Sequence, residues 1–535
     1  MNRTARYLVL ALASYGLTAC GDRALLVGTS VNAGAGGSIA ESGASGSGGV
    51  LNDNGGASGV GGVDQSAGAA GSGTAGAGMS CTDDDCGRFV CARSFGAANQ
   101  DVYVTSIAVA GSGFVVVTGQ FTGSVDFGGT TLTSVGDADI FLAKYATDCS
   151  LSFAESFGTP LLDGGLTVAV ADNLDIVLGG FFGQPNSLAV PPADIDFGGK
   201  NMAGNGLLTA FGGGDAFLVR FDQDGGHLWS HAYGSAPSST SLGRDYIRAL
   251  DIAPNTDILV TGEGSGAFCD HNGTIKEICN DVTEGAVVAR YTPEGRHEWT
   301  ESLQPGVPGP IAASGFGIAV TPDDQVFVSG AYDGGALYQG LVFHNLNTAF
   351  LANLSNSGST TWLKSLRTKY PAQASDTSDD NFGTSVAVSA SATVWGGHVV
   401  GPVDFGAGER PGFGSWDAFL ISYDAAGTLA HGLVQGGPAA DQVSQLALDP
   451  QGNILLVGTL AGPGSNSAGG ALAKYSSGGS PLWSHAFGEN SNARAIAWAA
   501  PYIAIAGDFE SDADLGDRPR TALGSNDGFV ALFRE

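Results

Sequence analysis

The stretches FVVVTGQF at residues 114–121 and DIFLAKY at residues 139–145 decide the fold, because both return along the rest of the chain. The glycine that ends the apolar part of the first stretch recurs at Gly119, Gly180, Gly262, Gly330, Gly397, Gly458 and Gly507. Each follows a short run of β-branched or aliphatic residues, which is too short for a helix and typical of a buried strand. A unit of this size cannot bury its own apolar face, so the copies must stack against one another.

Each repeat contains four predicted strands. A short strand precedes the glycine run, as at residues 106–110, and a third begins near Asp-Ala-Phe-Leu, as at Asp215. The fourth carries an aromatic residue, usually Trp; Phe153 and His431 take that place in two repeats. Four antiparallel strands repeated seven times predict an all-β fold, a seven-bladed β-propeller of four-stranded antiparallel blades.

The two ends of the repeat region complete one another. The last repeat stops at residues 533–535 without a fourth strand, whereas residues 88–96 precede the first repeat and resemble that missing strand. We therefore expect residues 88–96 to close the last blade, within a propeller domain that spans residues 81–535.

The repeat resembles the bacterial seven-bladed β-propeller repeat (SBBP-like) family of exported proteins over residues 88–535. The matching phrase is V-x-G-x-F, D-F-G-G, D-A-F-L-x-x-Y and G-x-x-x-W-x-x-x-F-G, although repeats three, four and six lack the Asp of the third strand. The resemblance implies the propeller fold and export, and it implies no particular activity.

Residues 1–19 have the features of an export signal. Two arginines precede an apolar stretch that is too short to remain as a membrane span, and Leu17-Thr-Ala-Cys20 resembles the lipobox of bacterial lipoproteins. We expect cleavage before Cys20 and attachment to the membrane through a lipid on this residue; an ordinary signal peptide is the alternative. By resemblance to enterobacterial sorting, Gly21 favours an outer membrane lipoprotein that faces the periplasm or the cell surface.

The composition of the chain predicts a linker before the propeller and excludes one class of partner. Residues 20–80 contain the lipidated cysteine and a stretch of almost only Gly, Ala and Ser, which predicts a flexible, disordered linker. The formal net charge of −30 excludes a nucleic-acid partner, because phosphate binding needs clustered Lys and Arg.

Six cysteines follow Cys20, and an even number in an exported chain predicts disulfides. Cys269 and Cys279 share one loop and are predicted to pair. The pairing of the other four is left open by the sequence; these are Cys81, Cys86, Cys91 and Cys149. A zinc site is the alternative.

Antiparallel alternation places the long loops on one face of the disc, here called the long-loop face, and we expect any site on that face. Solvated loop charge is the preferred interpretation of the acidic clusters on this face, and calcium binding is the alternative. The candidate ligands are Asp508, Glu510, Asp512, Asp514 and Asp517, with a second acidic cluster at Asp376, Asp379 and Asp380. Single aspartates at matched loop positions are predicted to cap turns; these are Asp126, Asp196, Asp404 and Asp514.

Histidines offer few catalytic candidates. His231 and His485 repeat one position and His227 and His297 another, which predicts structural roles. The candidates on the long-loop side are His271, His344 and His398, none of them beside a nucleophile or metal-ligand motif.

No cluster of residues predicts a reaction. We therefore expect a cell-envelope lipoprotein whose propeller is a non-catalytic binding module for a protein or glycan, acting through its long-loop face. One alternative is a propeller enzyme of the metal-dependent lactonase or polysaccharide lyase type, which acidic or His side chains converging on the channel mouth would favour. A purely structural envelope protein is the other.

Overall fold

The computed structural model describes residues 87–111, 113–184, 193–198, 206–210, 213–234, 245–264, 285–302, 304–305, 313–332, 336–338, 341–342, 348–368, 381–461 and 466–535. Several sequence predictions lie outside the described residues; they concern the export signal, Cys20, the linker, Cys81, Cys86, Cys269, Cys279, His271, His344, Asp376, Asp379 and Asp380. The described residues form strands and no helix, so none of them builds a helix that could cross a membrane.

Seven sheets of four antiparallel strands form the blades, which confirms the predicted seven-bladed β-propeller. Blade 1 contains Val102–Ala110, Phe114–Phe121, Asp139–Ala146 and Leu151–Phe157. Blade 2 contains Leu162–Val170, Ile176–Gln184, Asp215–Phe221 and His227–Tyr233. Blade 3 contains Tyr246–Ile252, Ile258–Gly264, Gly285–Tyr291 and His297–Ser302. Blade 4 contains Ala313–Val320, Val326–Tyr332, Thr348–Leu354 and Thr360–Ser365.

The other three blades follow the same order. Blade 5 contains Phe382–Val388, Ala392–Val399, Asp417–Asp424 and Leu429–Gln435. Blade 6 contains Gln442–Leu448, Ile454–Ala461, Ala468–Tyr475 and Pro481–Gly488. Blade 7 contains Ser491–Ala499, Tyr502–Phe509, Asp527–Arg534 and the closing strand Arg88–Phe95.

Short strands in the long loops were not predicted from the sequence. They are Ser124–Asp126 with Thr131–Thr133, Ile195–Asp196 with Leu207–Leu208, Gln304–Pro305 with Ala336–Tyr338 and Leu341–Val342, Arg367–Thr368 with Val403–Asp404 and Glu409–Arg410, and Asp512–Asp514 with Pro519–Thr521. The matched loop aspartates cap the turns beside them, as predicted. Asp126 Oδ1, for example, accepts hydrogen bonds from the N–H groups of Gly128 and Gly129 at 2.8 and 2.6 Å.

The core lies between neighbouring blades, because apolar side chains of adjacent sheets pack against each other. The third strand of blade 2, Asp215–Phe221, is buried along its whole length. Phe157 of blade 1 and Phe221 of blade 2 stack with their ring centroids 5.5 Å apart. The apolar runs of the repeat are therefore the surfaces that join one blade to the next.

Two fourth-strand tryptophans form hydrogen bonds to the neighbouring blade. Trp229 Nε1 of blade 2 donates to the carbonyl oxygen of Pro293 in blade 3 at 2.9 Å, and Arg220 donates to the same oxygen at 2.7 Å. Trp299 Nε1 of blade 3 donates in the same way to Asn356 O of blade 4, also at 2.9 Å. In blades 2 and 3 the fourth-strand Trp therefore bonds to the hairpin of the following blade.

The closing strand pairs antiparallel with the last strand of the chain, from Arg88 opposite Arg534 to Phe95 opposite Gly528. This confirms that the segment before the first repeat completes blade 7. A disulfide joins Cys91 of this strand to Cys149 in the turn after the third strand of blade 1. One pairing that the sequence left open is thus a link between blades 7 and 1.

Candidate functional site

The first strand of every blade carries a β-bulge at the same place. The bulged residues are Thr105, Leu166, Arg248, Phe316, Thr384, Ser444 and Arg494. A bulge inserts one unpaired residue and redirects its side chain. The repeat therefore places one redirected residue per blade on its first strand.

The recurring glycine is required by this bulge. A Cβ atom at Gly397 would lie 1.8 Å from the carbonyl oxygen of Phe382, and one at Gly119 would lie 1.9 Å from that of Tyr103. The same approach, between 1.8 and 2.1 Å, occurs in all seven blades, always to the residue two positions before the bulge. Only glycine leaves room for the backbone there.

The seven bulged residues line one cavity of about 330 Å³ at the centre of the ring. Each bulge falls within the first five residues of its strand, and these strands begin at the long-loop face. The seven bulged residues form one end of this cavity, here called the channel mouth. The mouth lies toward the long-loop face, where the sequence predicted a site.

Hydrogen bonds between neighbouring first strands make the channel wall rigid. In each, a side chain accepts from a backbone N–H of the next blade: Ser106 from Val168 at 3.1 Å, Thr167 from Leu250 at 3.1 Å, Asp251 from Val320 at 2.9 Å, Ser385 from Leu446 at 3.0 Å, and Gln445 from Ile496 at 2.8 Å. Burial raises the pKa of Asp251 to about 6. The wall thus holds its polar groups in fixed positions.

Arg248 is one of two cations among the described residues that line the channel mouth, and it is paired with a carboxylate. Its NH2 group donates to Glu263 Oε1 at 2.9 Å, and Ser314 Oγ donates to the other oxygen of the same carboxylate. The guanidinium carbon lies 4.9 Å from the ring centroid of Tyr246 and 5.4 Å from that of Phe316. These contacts fix the plane of the guanidinium group.

Arg494 repeats the arrangement in blade 7. Its guanidinium group donates through Nε and NH2 to both oxygens of Asp508, and Asn492 Nδ2 donates to Asp508 Oδ2 at 2.9 Å. The side chain of Asp508 is 1% exposed, whereas that of Arg494 is 20% exposed. The carboxylate therefore lies behind the arginine.

The two pairs follow one structural rule. In blades 3 and 7 the bulged residue is Arg and the residue after the recurring glycine is acidic, namely Glu263 and Asp508. In the other blades neither position is charged; the residues after the glycine are Gln120, Phe181, Ala331, His398 and Thr459. Blades 3 and 7 are separated by three blades on one side of the ring and two on the other. The arginines thus stand on nearly opposite walls.

Aromatic rings continue around the mouth from blade 2 to blade 5. Ring centroids lie 5.0 Å apart for Phe181 and Tyr246, and 6.0 Å apart for Phe316 and Phe382. Among the sequence candidates, His398 lies in this arc, 5.1 Å from Phe382. Burial lowers the pKa of His398 to about 3, so its ring is neutral.

The structure separates the five acidic candidates of the last loop. Asp508 is paired with Arg494, and Asp517 is paired with Arg520. Asp512 accepts from Thr521 Oγ1 at 2.6 Å, Asp514 accepts from Gly516 N at 3.0 Å, and Glu510 is exposed. Across the described ranges, no group of three or more His, Cys, Asp or Glu side chains is arranged to hold a metal ion. Calcium binding by these residues stays the less favoured alternative to solvated loop charge.

The repeated histidines pack beside the fourth-strand tryptophans. The ring centroid of His231 lies 5.1 Å from that of Trp229, and His485 lies 5.4 Å from Trp483. Burial lowers the pKa values of His485, His227 and His297. Their surroundings agree with the structural roles that repetition predicted.

Sequence reasoning missed Arg248, Glu263 and Arg494 and placed Asp508 only within an acidic loop. A usable signal exists in the repeat, because each bulged residue lies thirteen or fourteen positions before its recurring glycine. Aligning the repeats on that glycine places the two arginines in adjacent columns, each with an acidic residue directly after its glycine.

No family model and no curated protein sequence matches this chain. Similar solved structures include the quinohemoprotein alcohol dehydrogenase from Comamonas testosteroni, with 12% identity, 82% of this chain and 76% of that chain covered, and a TM-score of 0.40. A gluconolactonase from Xanthomonas campestris has 11% identity, covers 86% of this chain and 94% of its own, and has a TM-score of 0.33. A chain of the mitotic checkpoint complex has 11% identity, with 87% of this chain and 98% of that chain covered, and a TM-score of 0.40. We draw no functional conclusion from similarities at this level.

Proposed function

We propose that the propeller is a non-catalytic binding module of the cell envelope, whose ligand enters the channel mouth from the long-loop face. The observation that carries this proposal is the convergence of seven bulged residues, one per blade, on a single cavity of about 330 Å³. This volume lies at the lower end of the range typical of small-molecule sites. The ligand is therefore a small molecule or the end of a glycan or peptide.

The chemistry of the mouth favours recognition over catalysis. The carboxylates of Glu263 and Asp508 are bound to arginines, whereas Asp251, whose pKa burial raises to about 6, accepts backbone N–H groups. A general acid or base must exchange protons with its substrate, whereas groups held in ion pairs keep their charge. Fixed charges on a rigid wall suit binding.

Exposed apolar side chains support contacts with a larger partner on the same face. Val135, Phe413 and Leu523 are 68%, 52% and 67% exposed. Each lies four residues before a third-strand aspartate that accepts its backbone N–H, at distances of 2.8 to 2.9 Å. The loops thus present these side chains outward at matched positions.

Thermal melting of the full chain in detergent, with a panel of neutral and acidic oligosaccharides and short peptides, tests the proposal. A bound ligand raises the melting temperature by mass action. We expect a saturable rise with at least one probe, and we expect Ser444→Trp to abolish it by filling the mouth. Ser391→Trp, at an exposed hairpin on the opposite face, is the matched control. The proposal would be contradicted if no probe raises the melting temperature, or if Ser444→Trp leaves such a rise unchanged.

The same assay separates the enzyme alternative. A calcium-dependent lactonase or lyase would be stabilised by calcium chloride at millimolar concentration, because the ion binds only the folded state. We expect calcium to leave the melting temperature unchanged. A saturable rise that Asp508→Asn removes would favour the enzyme and revive the calcium prediction.

We further propose that the module is anchored in the outer membrane through a lipid on Cys20, since Leu17-Thr-Ala-Cys20 resembles a lipobox. Metabolic labelling with an alkyne-tagged fatty acid in a bacterial host should modify the chain. Cys20→Ala should remove the label and release the protein from the membrane fraction. Unchanged fractionation of this variant would count against the anchor.

A further inference from the structure

We propose that the long-loop face docks a basic segment of another protein through the side chains of Val135, Phe413 and Leu523, here called the apolar tips. This inference rests on the proposed binding role and adds the chemical class of a protein partner. Three features carry it: the turn that presents each tip, the contacts that join two of the tips, and the charge of the loops around them.

The first feature is a turn that recurs before the third strand in blades 1, 5 and 7. In each turn an apolar residue lies four positions, and a glycine three positions, before the third-strand aspartate; the residues are Val135, Gly136 and Asp139, then Phe413, Gly414 and Asp417, then Leu523, Gly524 and Asp527. Blade 2 has the same pattern in its sequence at Phe211, which lies outside the described residues. Every blade with a third-strand aspartate therefore has an apolar residue at this position.

The turn requires its glycine and its aspartate, but it does not require an apolar side chain. A Cβ atom at Gly136, Gly414 or Gly524 would lie 2.2, 1.9 or 2.0 Å from a carbonyl oxygen of the connection to the next blade. From the tip residue the aspartate accepts the backbone N–H, which a polar residue would supply equally well. All three tips are more than half exposed. Isolated exposed apolar residues are common, but their recurrence at one turn indicates a partner.

The second feature is a series of contacts that joins the tips of blades 7 and 1. Gly524, next to the tip of blade 7, packs against the backbone of Gln100, whose carbonyl oxygen would lie 2.0 Å from a Cβ atom at position 524. The side chain of Gln100 in turn lies against Gly123. Gly123 N donates to Ser134 Oγ at 2.8 Å, and Ser134 directly precedes the tip residue Val135. These two tips therefore belong to one surface, which a single partner segment can contact.

The third feature is the charge of the loops that carry the tips. The long loops of blades 1, 5 and 7, at residues 122–138, 400–416 and 510–526, contain eight acidic residues, all of them exposed, and three arginines. One of the arginines, Arg520, is paired with Asp517. Hydrogen bonds from backbone N–H groups lower the pKa of Asp126, so this carboxylate keeps its charge. The tips thus lie among negative charges, which attract a basic segment and repel anionic lipid.

Fluorescence anisotropy with the full chain in non-ionic detergent tests the inference with three labelled peptides: KLGSKLGSKLGS, KSGSKSGSKSGS and ELGSELGSELGS. The first combines positive charge with leucine, the second has the charge alone, and the third has leucine with negative charge. We expect the first peptide to bind roughly tenfold more tightly than either of the others, because it alone matches both the tips and the loop charge. Its binding should weaken in about 0.5 M NaCl, since salt screens exposed charges.

Variants of the tips and of the loop charges should weaken the binding of the first peptide in different ways. Val135→Ser and Leu523→Ser should each lower its affinity by roughly fivefold or more, because each removes one apolar contact. Serine keeps the backbone N–H that the aspartate accepts, so the turn stays intact. Asp137→Asn combined with Glu510→Gln, at exposed positions of the same loops, should lower the affinity by roughly threefold at low salt and have little effect in about 0.5 M NaCl.

Leu228→Ser and Asp323→Asn are the matched controls. Leu228 is an exposed apolar residue near the start of the fourth strand of blade 2, and Asp323 is an exposed carboxylate in the hairpin between the first two strands of blade 4. Both positions lie toward the face opposite the tips, so the affinity for the first peptide should be unchanged at either salt concentration. Thermal melting identifies any variant that fails to fold, and each of the two tip variants tests the inference by itself.

The outcomes separate the inference from the proposed function. Ser444→Trp fills the channel mouth and should leave binding of the first peptide unchanged; loss of binding in this variant would assign the peptide to the mouth and overturn the inference alone. Equal binding of the first and third peptides would overturn the basic partner. Equal losses in the control variants would overturn the tips as its contact. Failure of all three peptides would overturn the inference and leave the proposed function to its own panel of probes.

A membrane is the other surface that apolar tips could contact, and the same variants identify it. Cys20→Ala removes the proposed lipid anchor, so binding of this variant to vesicles of phosphatidylethanolamine and phosphatidylglycerol reports on the propeller itself. We expect no binding, because the acidic loops are repelled by anionic lipid. Vesicle binding that Leu523→Ser abolishes would show that the tips contact lipid, and the inference of a protein partner would then be wrong.

Discussion

At the scale of single residues, the bulge and the recurring glycine act as one unit in every blade. The bulge turns a backbone carbonyl toward the second strand, where the glycine leaves room for it; in blades 1, 2, 4, 5 and 7 an aromatic ring of the third strand also packs over the glycine. In blade 5 these residues are Phe382, Gly397 and Phe419, with a Cβ at position 397 only 1.8 Å from the carbonyl oxygen and 2.9 Å from the ring. The bulge therefore recurs once in every sequence repeat.

We expect Gly397→Ala to destabilise the protein by about 3 kcal/mol, because the added carbon overlaps backbone that cannot move without breaking the first strand. Gly111→Ala is the matched control, since no atom lies within 4 Å of a Cβ at that position. Urea unfolding followed by tryptophan fluorescence measures both. Equal stability of the two variants would show that the bulge tolerates a side chain.

At the scale of elements, the strands were predictable and the contacts between them were less so. Seven apolar runs and the unmatched segment at residues 88–96 sufficed to predict the blades and their closure, because burial of repeated surfaces determines both. The ion pair of Arg248 and Glu263 was not predicted. Residues that face each other on neighbouring strands are inferred from the alternation of side chains along each strand, and the bulge interrupts that alternation. The pairing of Cys91 with Cys149 depends on ring closure, which spacing alone does not encode.

The closing strand is the element whose attachment is easiest to test. The disulfide joins residues 58 positions apart and ties this strand to blade 1, while hydrogen bonds tie it to blade 7. Replacing Cys91 and Cys149 together by alanine should lower the free energy of unfolding by roughly 2–4 kcal/mol, the usual effect of a loop of this kind.

Hydrogen exchange locates the effect of that double replacement. Amide protection should fall most in Arg88–Phe95, where local opening adds to the change in global unfolding, and less in blades 3 and 4, which the disulfide does not touch. Reducing agent should destabilise the unmodified chain more than the double variant. Uniform loss of protection around the ring would instead mean that closure depends on this bond everywhere.

At the scale of the whole molecule, buried carboxyl groups at blade boundaries connect stability to pH. Asp163 at the start of blade 2 accepts from Gly183 N at 2.7 Å, and Asp441 holds the same position in blade 6. Burial raises their pKa values to about 7 and about 6, and it raises those of Asp139 and Asp251 to about 6. The folded ring therefore keeps protons that the unfolded chain releases.

The sign of the pH dependence follows from these shifts. A carboxyl group with a raised pKa stabilises the fold below its unfolded value of 3.8, and this contribution is lost as the pH rises through about 6 to 7. Buried histidines act in the opposite direction, because the unfolded chain binds protons at them as the pH falls toward 6.5; burial lowers the pKa values of His227, His297, His398, His431 and His485. The two kinds of group oppose each other between pH 8 and pH 6.5, so the contribution of a carboxyl group is measured by comparing a variant with the unmodified chain.

Asp163→Asn tests this account, because asparagine imitates the protonated carboxyl group and the fold already accepts it at this position. In blade 5 the equivalent residue is Asn381, whose Oδ1 accepts from Val400 N at 2.9 Å. The variant should be more stable than the unmodified chain at pH 8, and urea unfolding should show this advantage falling by about 1 kcal/mol between pH 8 and pH 6.5, where Asp163 takes up its proton. For Asp222→Asn, in an exposed hairpin between strands of blade 2, the stability difference from the unmodified chain should be the same at both pH values. If the advantage of Asp163→Asn does not change with pH, this carboxyl group is not a source of the pH dependence.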